Sequence, residues 1–532
     1  MSFCKELINL TDELRHVEGV YSLGGHLIIS RLHDLLKKKI LFITSNKLIQ
    51  LADDNNKKIE ETIEKFDLIV IGSGSGLTVA NAIFQHGLRV AVIEKDRMGG
   101  TCLNRGCIPS KLLIHSADVA ETIKRARIFG IKVDGFTIDF QGMVERVNNI
   151  TDSSSEQIKN AFGGIENPKL FSDECKFVGE KTLSLGEDKT NNRKTLTADK
   201  ILIAAGTRPR IPNIHGLKDS GYLTSDEIFR IKKQPKSLTI IGGGYIACEL
   251  AHFFGALGTE VNIVQKRDVL IPDEDEEVSQ KFTEIFSKKY NAYLGYETKS
   301  VSKDTDGNGG SKFHITATKR DDASTEMLDI VSEQLLIAAG RIPNSDTLDL
   351  HKTGVSVNDK GYIVTDKYLE SKVKGIFAIG DIVGRYLFKH SANNEAEYAY
   401  YNIIASSTEK IPVNYYAMPH AIFSSPQVAG VGLKEQDLKN MSINYYKSVY
   451  PYIKTAMGEA IEDRDGFVKF LVDKADKKIL GCHIIGTEAS TLIHEVLVAM
   501  RYGHGRIDSI SGTIHIHPAL SEVVARAAWH KE

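Results

Sequence analysis

The 532-residue sequence predicts an α/β fold, because a strand–glycine turn–helix–strand unit occurs twice in it. The first unit runs from an apolar segment at 66–71, through a glycine turn, to a second strand at 89–94. The second runs from 237–241, through the glycines of 242–244, to 260–264. Since this unit builds doubly wound parallel sheets that hold nucleotides at the glycine turn, two Rossmann-type nucleotide-binding domains are expected.

Further elements are predicted between and after these units. The apolar runs 202–206 and 336–340 each end in a glycine and are expected to be strands that close their units. Polar loops at 186–194 and 303–312 are typical of hairpins. From about residue 413, short strands (466–472, 479–485) and helices (487–503, 519–528) predict a compact α+β terminal domain.

Residues 1–65 precede the first unit and form a small N-terminal extension of unknown role. Helices are expected over 3–16 and 26–38, a strand over 39–44, and a charged helix over 53–65. No site motif occurs in this extension.

Composition excludes several classes of protein. The 67 basic and 69 acidic residues give a net charge of −2, which excludes an overall basic surface for nucleic acid. No apolar run approaches the roughly 20 residues that span a membrane. Six cysteines in the chain are too few for a disulfide scaffold. A cytoplasmic protein is therefore expected, with neither nucleic acid nor a membrane as its partner.

The first glycine turn, Gly72-Ser73-Gly74-Ser75-Gly76-Leu77, leads into a helix predicted over 77–87. Glycines at these positions allow a tight turn and a close approach of the backbone to a pyrophosphate, which the helix N-terminus attracts. Leu77 stands where a third glycine is usual. Glu94 ends the next strand, where a carboxylate accepts hydrogen bonds from ribose hydroxyls. The alternative is a glycine-rich turn without a ligand.

The second turn, Gly242-Gly243-Gly244-Tyr245-Ile246-Ala247, precedes a helix predicted over 245–256 and has alanine in the third place. The strand that follows ends in Gln265 rather than an acid, and Lys266 and Arg267 come next. A missing carboxylate beside two cations favours the 2′-phosphate of NADPH. The alternative is that both cations belong only to a solvated turn.

Cys102 and Cys107 are the most distinctive pair in the chain and lie at the start of a helix predicted over 109–122. Residues five apart in an ideal α-helix have Cα atoms roughly 8.6 Å apart, whereas a disulfide needs about 4.4–6.8 Å. A bridge therefore requires a distorted first turn, which Gly106 and Pro109 can provide. Two structural thiols remain the alternative, and no ligands at suitable spacing support a metal site.

The segment 98–111, MGGTCLNRGCIPSK, resembles the active-site signature of the FAD-dependent pyridine nucleotide–disulfide oxidoreductases, and the likeness extends over roughly 66–525. The segment 375–381 is similar to the second FAD motif of that family, and 515–522 is similar to its C-terminal His–Glu motif. Lys111 and Glu249 match the Lys–Glu pair that lies beside the flavin.

The resemblance implies a domain order and a set of cofactor contacts. The implied segments are the extension 1–65, the FAD-binding domain 66–230, the NAD(P)-binding domain 231–345, a central segment 346–412 that completes the FAD domain, and the interface domain 413–532. The implied FAD contacts are Gly72, Gly74, Gly76, Glu94, Gly100, Thr101, Gly206 and Asp381. The implied NAD or NADP contacts are Gly242, Gly244, Tyr245, Ala247, Gln265, Lys266, Arg267 and Gly340.

The resemblance also implies a two-fold homodimer with a shared active site. Cys107 would lie against the flavin as a thiolate, and Cys102 would exchange disulfides with the substrate. His517 of one subunit would reach the pair of the other, oriented by Glu522. Tyr245 could gate the nicotinamide site, and His515 is interpreted as structural. The alternatives are that a histidine of this motif caps a helix, or that the two histidines bind a metal.

Two members of the family fit the sequence. The signature through Lys111 and the segments 466–469 and 483–486 are similar to dihydrolipoamide dehydrogenase, whose substrate is carried by a lipoyl-bearing complex. An NADPH-dependent reductase of a small-thiol disulfide, like mycothione reductase, is favoured by Leu77, the segments 389–396 and 517–520, and the 265–267 turn. Arg105 beside the pair could favour an anionic substrate or stabilise a thiolate. A third hypothesis is a flavoprotein subunit or redox sensor that docks through residues 1–65.

Overall fold

The computed structural model describes residues 63–186, 194–305, 311–320 and 327–530. The elements predicted over 3–16, 26–38 and 39–44 lie outside these residues, as does most of the helix predicted over 53–65.

Only 63–65 of that last helix is described, and the prediction is wrong there. The first strand begins at Ile63, because Ile63 pairs in parallel with Thr195 of a long neighbouring strand. Tertiary pairing overrides helix propensity at this point.

The first part of the chain supplies seven strands and four helices within the described residues. The strands are β1 (Ile63–Ile71), β2 (Val90–Ile93), β3 (Lys169–Phe171), β4 (Cys175–Gly179), β5 (Thr182–Leu185), β6 (Lys194–Ile203) and β7 (Thr207–Pro209). The helices are α1 (Gly76–Phe84), α2 (Gly100–Arg105), α3 (Cys107–Arg125) and α4 (Phe140–Phe162).

The remainder continues with two further groups of elements. The strands are β8 (Ser237–Ile241), β9 (Glu260–Gln265), β10 (Asn291–Leu294), β11 (Tyr296–Thr305), β12 (Ser311–Lys319), β13 (Met327–Ser332), β14 (Gln334–Ile337), β15 (Arg341–Pro343), β16 (Ile376–Ala378), β17 (Pro419–Ile422), β18 (Gln427–Gly432), β19 (Tyr445–Pro451), β20 (Phe467–Asp473) and β21 (Ile479–Gly486). The helices are α5 (Tyr245–Ala256), α6 (Glu276–Lys289), α7 (Lys389–Ile404), α8 (Glu435–Asn440), α9 (Ala456–Ala460), α10 (Ala489–Tyr502), α11 (Asp508–Ser511) and α12 (Glu522–Trp529).

The first nucleotide-binding sheet is built from distant parts of the chain. Its order is β3-β2-β1-β6-β5-β4, with β16 also pairing in parallel with β6. The strands β1, β2 and β6 are parallel, and β2 and the last residues of β1 and β6 are buried, as expected where both faces of the sheet are covered. In the chain, β16 comes after the second nucleotide-binding unit. Its pairing with β6 therefore means that the chain returns to the first sheet after completing the second.

The second sheet has the parallel order β10-β9-β8-β14, beside an antiparallel sheet of β11, β12 and β13. The predicted strand 237–241 and helix 245–256 are present with those bounds. The hairpin predictions are confirmed for the flanking strands, since β5 pairs antiparallel with β6 and β11 with β12. Their tips, 187–193 and 306–310, lie outside the described residues.

The terminal domain is a five-stranded antiparallel sheet in the order β17-β18-β21-β20-β19. Helices α10 and α12 pack on it around a core that includes Tyr452, Phe470 and Val496. This arrangement confirms the predicted α+β domain. Among the described residues, no helix combines the length and apolar character that a membrane span needs.

A buried ion cluster joins the second nucleotide-binding domain to the terminal domain. The ammonium of Lys469 on β20 is fully buried and lies 2.8 Å from Asp275, 2.9 Å from Glu277 and 2.6 Å from Glu435. Asp275 also caps α6 by accepting a hydrogen bond from the Glu277 amide. One cation therefore compensates carboxylates from both domains, which fixes the terminal domain against the nucleotide-binding part.

Candidate active site

The first glycine turn lies between β1 and α1 and has open space on one side. Gly72 has φ of +101°, and a Cβ there would lie 2.4 Å from the Ala204 carbonyl oxygen. A Cβ on Gly76 would lie 2.7 Å from a Val70 methyl carbon, so the close helix–strand approach occurs at Gly76 and does not need glycine in place of Leu77. A Cβ on Gly74 would meet nothing within 4 Å. The space in the direction of a Cβ on Gly74 is therefore open, and a pyrophosphate could approach the turn there.

Glu94 at the end of β2 is fixed against the same turn. Its Oε2 accepts hydrogen bonds from the Ser73 amide at 2.9 Å and the Ser73 hydroxyl at 2.6 Å, and its Oε1 accepts one from the Asp96 amide at 3.0 Å. The Ser73 hydroxyl oxygen in turn accepts a hydrogen bond from the Gly99 amide at 2.9 Å. The turn, Glu94 and the start of the cysteine segment thus form one hydrogen-bonded unit.

Asp381 follows β16, which pairs with β6 in the same sheet. Its Oδ2 accepts a hydrogen bond from the Thr207 hydroxyl at 3.0 Å, and the hydroxyl oxygen of Thr207 accepts one from Arg341 Nε at 2.8 Å. Burial raises the pKa of Asp381 above its ordinary value. Gly206, with φ of +63°, turns the chain at the end of β6 beside Thr207.

These groups fit FAD. The open face of Gly74 can receive a pyrophosphate at the N-terminus of α1, and Glu94 carries the carboxylate that ribose hydroxyls need. A Cβ on Gly100 would lie 3.0 Å from the Gly74 Cα, so Gly100 and Thr101 at the start of α2 border the same space.

The second glycine turn has the same construction. Gly242 has φ of +122°, and a Cβ there would lie 2.3 Å from the Ala338 carbonyl oxygen, whereas a Cβ on Gly244 would meet nothing within 4 Å. Ala247 is fully buried in α5, and Gly340, with φ of +107°, ends the turn after β14. The open face of Gly244 therefore fits the pyrophosphate of a nicotinamide nucleotide.

Three cations gather at the end of β9. Gln265 is buried and packs against Gly243, while Lys266 and Arg267 follow it on the surface. Arg320, just after β12, donates a hydrogen bond to the Lys266 carbonyl at 3.3 Å. Arg267 also lies 3.5 Å from Asp273. Sequence reasoning missed Arg320, because only the packing of the antiparallel sheet brings it here.

The cysteine pair spans a break between two helices. Cys102 belongs to α2 and Cys107 begins α3, and the intervening Gly106 has φ of −142° and ψ of −115°. A Cβ on Gly106 would lie 3.0 Å from the Thr101 carbonyl oxygen. Pro109 lies in the first turn of α3, where its missing N–H removes no helical hydrogen bond. The predicted distortion is confirmed, and it brings the two thiols into hydrogen-bonding contact.

The two thiols differ in their electrostatics. The hydrogen bond from Cys102 lowers the pKa of Cys107 to about 7, against the effect of burial, and the Lys111 ammonium contributes in the same direction. The pKa of Cys102 is raised, because Cys102 donates that hydrogen bond and is itself partly buried. Cys107 is therefore the more acidic thiol of the two and Cys102 the less acidic one.

Lys111 and Glu249 form an ion pair beside the thiols. Lys111 Nζ lies 2.9 and 2.8 Å from the two carboxylate oxygens of the buried Glu249, which also accepts a hydrogen bond from the Phe423 amide at 3.0 Å. Tyr245 begins α5 four residues earlier, and burial raises its pKa to about 12. The pair predicted from sequence is thus present. The negative charges of Glu249 and Cys107 also contribute to the raised pKa of Tyr245.

Arg105 does not offer a free charge to a substrate. Its guanidinium forms an ion pair with Asp96 and lies 3.5 Å from Asp226. The expectation that Arg105 attracts an anionic substrate is therefore not supported, since two carboxylates already compensate it.

The C-terminal histidines face in different directions. His517 Nδ1 lies 3.0 Å from both carboxylate oxygens of Glu522, and its side chain is 71% exposed. This hydrogen bond lowers the pKa of Glu522. His515 points inward, and its Nε2 contacts the Glu495 carboxylate. In the same loop, Ile514 and Ile516 are 97% and 78% exposed, so His517 lies next to exposed apolar side chains.

Sequence reasoning did not identify three groups of supporting residues. Ser73 orients Glu94, Thr207 and Arg341 orient Asp381, and Lys389 reaches the first glycine turn. Ser73 belongs to the first glycine turn and Lys389 to the segment 389–396, so both residues lie in motifs that the sequence had already indicated. Within the described ranges, no three His, Cys, Asp or Glu side chains are grouped as metal ligands.

Comparisons with known proteins agree with this geometry. The family model described as pyridine nucleotide-disulphide oxidoreductase matches residues 66–397, and the dimerisation-domain model of the same family matches 418–528. Mycothione reductase of Mycobacterium tuberculosis (strain H37Rv) is 33% identical over 471 residues, covering 87% of this chain and 99% of that protein. Dihydrolipoyl dehydrogenase of Chlamydia pneumoniae is 34% identical over 467 residues, covering 87% and 96%.

A solved structure shares the fold. The HOCl-induced flavoprotein disulfide reductase RclA from Escherichia coli, in its Cu(II) complex, matches with a TM-score of 0.76 and 23% sequence identity. The match covers 88% of this chain and 99% of that one.

Proposed function

Since this chain belongs to the pyridine nucleotide–disulphide oxidoreductase family, whose members use FAD and a nicotinamide nucleotide, we propose that it oxidises dihydrolipoamide with NAD⁺ through the Cys102–Cys107 pair. The observation that carries the proposal is the asymmetry of the pair across the helix break at Gly106, where the pKa of Cys107 is lowered and the pKa of Cys102 is raised. FAD, when bound, supplies the two-electron chemistry that links the pair to the nicotinamide.

The two cysteines divide the thiol chemistry between them. A substrate thiolate attacks the Cys102 sulfur of the oxidised pair, and Cys107 leaves as a thiolate. The second substrate thiolate then attacks the substrate sulfur of the mixed disulfide, which breaks its bond to Cys102, releases the cyclic disulfide and lets Cys102 leave as a thiolate that takes up a proton. The pair is then reduced by two electrons. The low pKa of Cys107 makes it the better leaving group in the first step.

His517 is the proposed base that receives the substrate proton. Glu522 holds Nδ1, which leaves Nε2 free for proton transfer on an exposed surface. We place this histidine at the cysteine pair of a second copy. The match to the dimerisation domain and the exposed Ile514 and Ile516 beside His517 support a homodimer.

The compensated charge of Arg105 supports a neutral substrate such as lipoamide. Asp96 and Asp226 occupy its guanidinium, so it adds no free cation beside the pair. A lipoyl-bearing complex is the partner that this substrate implies, and the cytoplasm is the proposed location.

A second candidate is NADPH-linked reduction of a low-molecular-weight disulfide. The cations Lys266, Arg267 and Arg320 at the end of β9, with Gln265 in place of an acid, favour a 2′-phosphate. The relation to mycothione reductase is compatible with this activity.

The test compares dihydrolipoamide oxidation with NAD⁺ and with NADP⁺, using purified protein. Fast turnover with NAD⁺ supports the first proposal. If neither nucleotide supports turnover, but the NADPH-reduced enzyme is reoxidised by a small-thiol disulfide, the second candidate replaces it. Arg320→Gln is the matched variant, because it should weaken NADP⁺ and leave NAD⁺ unaffected.

Docking of a partner through residues 1–65 remains a separate proposal. Removing residues 1–62 tests it, since unchanged oligomer size and turnover with loss of a co-purified partner would support docking. Co-purification of the same partner with the truncated protein would contradict docking through this segment.

A further inference from the structure

A lysine of the central segment contacts the first glycine turn. Lys389 is the first residue of α7, and its Nζ donates a hydrogen bond to the Ser75 hydroxyl oxygen at 2.8 Å. The Ser75 hydroxyl donates in turn to Asn393 Oδ1 at 3.0 Å, and Asn393 lies one helical turn after Lys389 on the same face of α7. Two residues of α7 therefore contact the serine that directly precedes α1.

The surroundings of this ammonium favour an anion. The positive ends of two helix dipoles meet here, because α1 begins directly after Ser75 and α7 begins at Lys389. The carboxylates of Glu94 and Asp381 accept hydrogen bonds from hydroxyl groups instead of the ammonium. Within the described ranges, the Lys389 ammonium forms no ion pair and has one hydrogen-bond partner, the neutral Ser75. Its charge is therefore not compensated by direct contact with a carboxylate of the described chain.

The ammonium also has donors left for a ligand. A lysine ammonium carries three N–H donors, and the contact with Ser75 uses one of them. Because Lys389 is half-buried, its remaining donors lose free energy unless water or an anion accepts from them. Gly74, next to Ser75, is the position of the turn with open space beside it. An anion in that space would lie beside an ammonium that already contacts the next residue.

We propose that Lys389 binds the pyrophosphate of FAD, as a cation that α7 supplies in addition to the amides of the glycine turn. The turn itself contains only glycines, serines and a leucine, so its sequence does not provide this charge. The proposal rests on the use of FAD by the family and not on the identity of the disulfide substrate. It also gives the segment 389–396 a role, since Lys389 and Asn393 both contact the turn.

The experiment measures the rate of FAD release from the holoenzyme by the recovery of flavin fluorescence. Lys389→Gln should release FAD at least about tenfold faster, as expected for the loss of a hydrogen bond between charged groups. Lys389→Arg should restore most of the retention, because a guanidinium also binds phosphate. Lys360→Gln removes an exposed lysine elsewhere in the central segment and should release FAD at the wild-type rate.

A second measurement separates charge recognition from a purely structural link between α7 and the turn. Competition with FAD rebinding to the full-length apoprotein gives the affinities of ADP, which carries a diphosphate, and of adenosine, which does not. Lys389→Gln should weaken ADP binding about tenfold and leave adenosine binding unchanged. Asn393→Ala removes the other contact of α7 with Ser75 but keeps the ammonium, so it should preserve the preference for ADP over adenosine.

Equal rates of FAD release from wild type and Lys389→Gln would overturn the proposal. An equal loss of ADP and adenosine affinity in Lys389→Gln would also overturn it, because the lysine would then only hold α7 against the turn. If Lys389→Gln is purified without flavin, the ADP and adenosine affinities decide between these results. A wild type that retains FAD but does not oxidise dihydrolipoamide would contradict the proposed function and leave the role of Lys389 intact.

Discussion

The two active-site thiols differ because of a single backbone break. Gly106 separates α2 from α3 and lets Cys102 donate a hydrogen bond to Cys107, which a continuous helix would prevent. Lys111 then adds a positive charge on the Cys107 side. A pair with one thiolate and one thiol suits disulfide exchange, since one sulfur attacks or is attacked while the other leaves.

Replacing the cysteines one at a time should separate their roles. Cys102→Ser should keep the thiolate–flavin absorbance and lose disulfide turnover, and Cys107→Ser should lose both. Because the pKa of Cys107 is about 7, the absorbance of the reduced wild type should fade as pH falls below 7. Absorbance titration and turnover assays check this. Normal turnover by Cys102→Ser would contradict the assignment.

His517→Gln should lower turnover by about 100-fold, in the range of general acid–base effects. The hydrogen bond to Glu522 fixes one ring nitrogen, so glutamine cannot replace the proton transfer at the other. Steady-state kinetics measures the loss, with His494→Gln, an exposed histidine on α10, as the control. A loss of less than threefold would remove His517 from the mechanism.

Residues within contiguous motifs were predictable, whereas their partners were not. The cysteines, Lys111, Glu249, His517 and Glu522 lie where the sequence indicated, and the last four form the expected pairs. The compensation of Arg105 by Asp226 and the approach of Arg320 to Lys266 join residues far apart in the chain. Such contacts depend on tertiary packing, which periodicity does not encode.

At the scale of elements, the junction between β20 and α6 depends on the Lys469 cluster. Lys469→Met would leave the fully buried Asp275 without a cation, and breaking such a pair costs about 3–5 kcal/mol of unfolding free energy. Glu435 would keep Lys439 at 3.2 Å. Chemical denaturation measures this loss, with the exposed Lys474→Met as control. Equal stability of both variants would contradict it.

The same cluster predicts acid sensitivity. Burial acts to raise the pKa of Glu435, but the hydrogen bond from Lys469 lowers it to about 2, below the ordinary value of 4.5. A carboxylate with a lowered pKa stabilises the fold above its ordinary pKa and loses that contribution as pH falls toward the lowered value. The unfolding free energy should therefore fall between about pH 4.5 and pH 2, and less steeply in Lys469→Met.

Elements with a clear local signal were predicted well. The strand 237–241 and the helix 245–256 have strong apolar patterns bounded by glycines, and both occur with those bounds. The helix expected at 63–65 is strand, because pairing with β6 outweighs local propensity.

At the scale of the whole molecule, the proposed active site is divided between two surfaces. The cysteine pair lies in the first nucleotide-binding domain, and His517 lies on an exposed loop of the terminal domain. The two-domain repeat was predictable from the glycine turns. The return of β16 to the first sheet is a long-range pairing that the resemblance implied and local pattern alone does not predict.

A shared site predicts complementation between inactive variants. Mixing Cys102→Ser with His517→Gln under conditions of subunit exchange should restore part of the activity, because a mixed dimer contains one intact cysteine pair facing one intact histidine. Turnover after exchange measures the recovery, and each variant alone is the control. No recovery after verified exchange would place both groups in one subunit.

The most direct test of the central claim is a count of thiols. Anaerobic reduction of the oxidised holoenzyme by NADH or NADPH, followed by alkylation and peptide mapping, should reveal new labels at Cys102 and Cys107 only. Consumption of one nucleotide per pair, with both cysteines labelled, is the predicted result. Reduction of the flavin without any new label on these cysteines would contradict the proposed route of electrons.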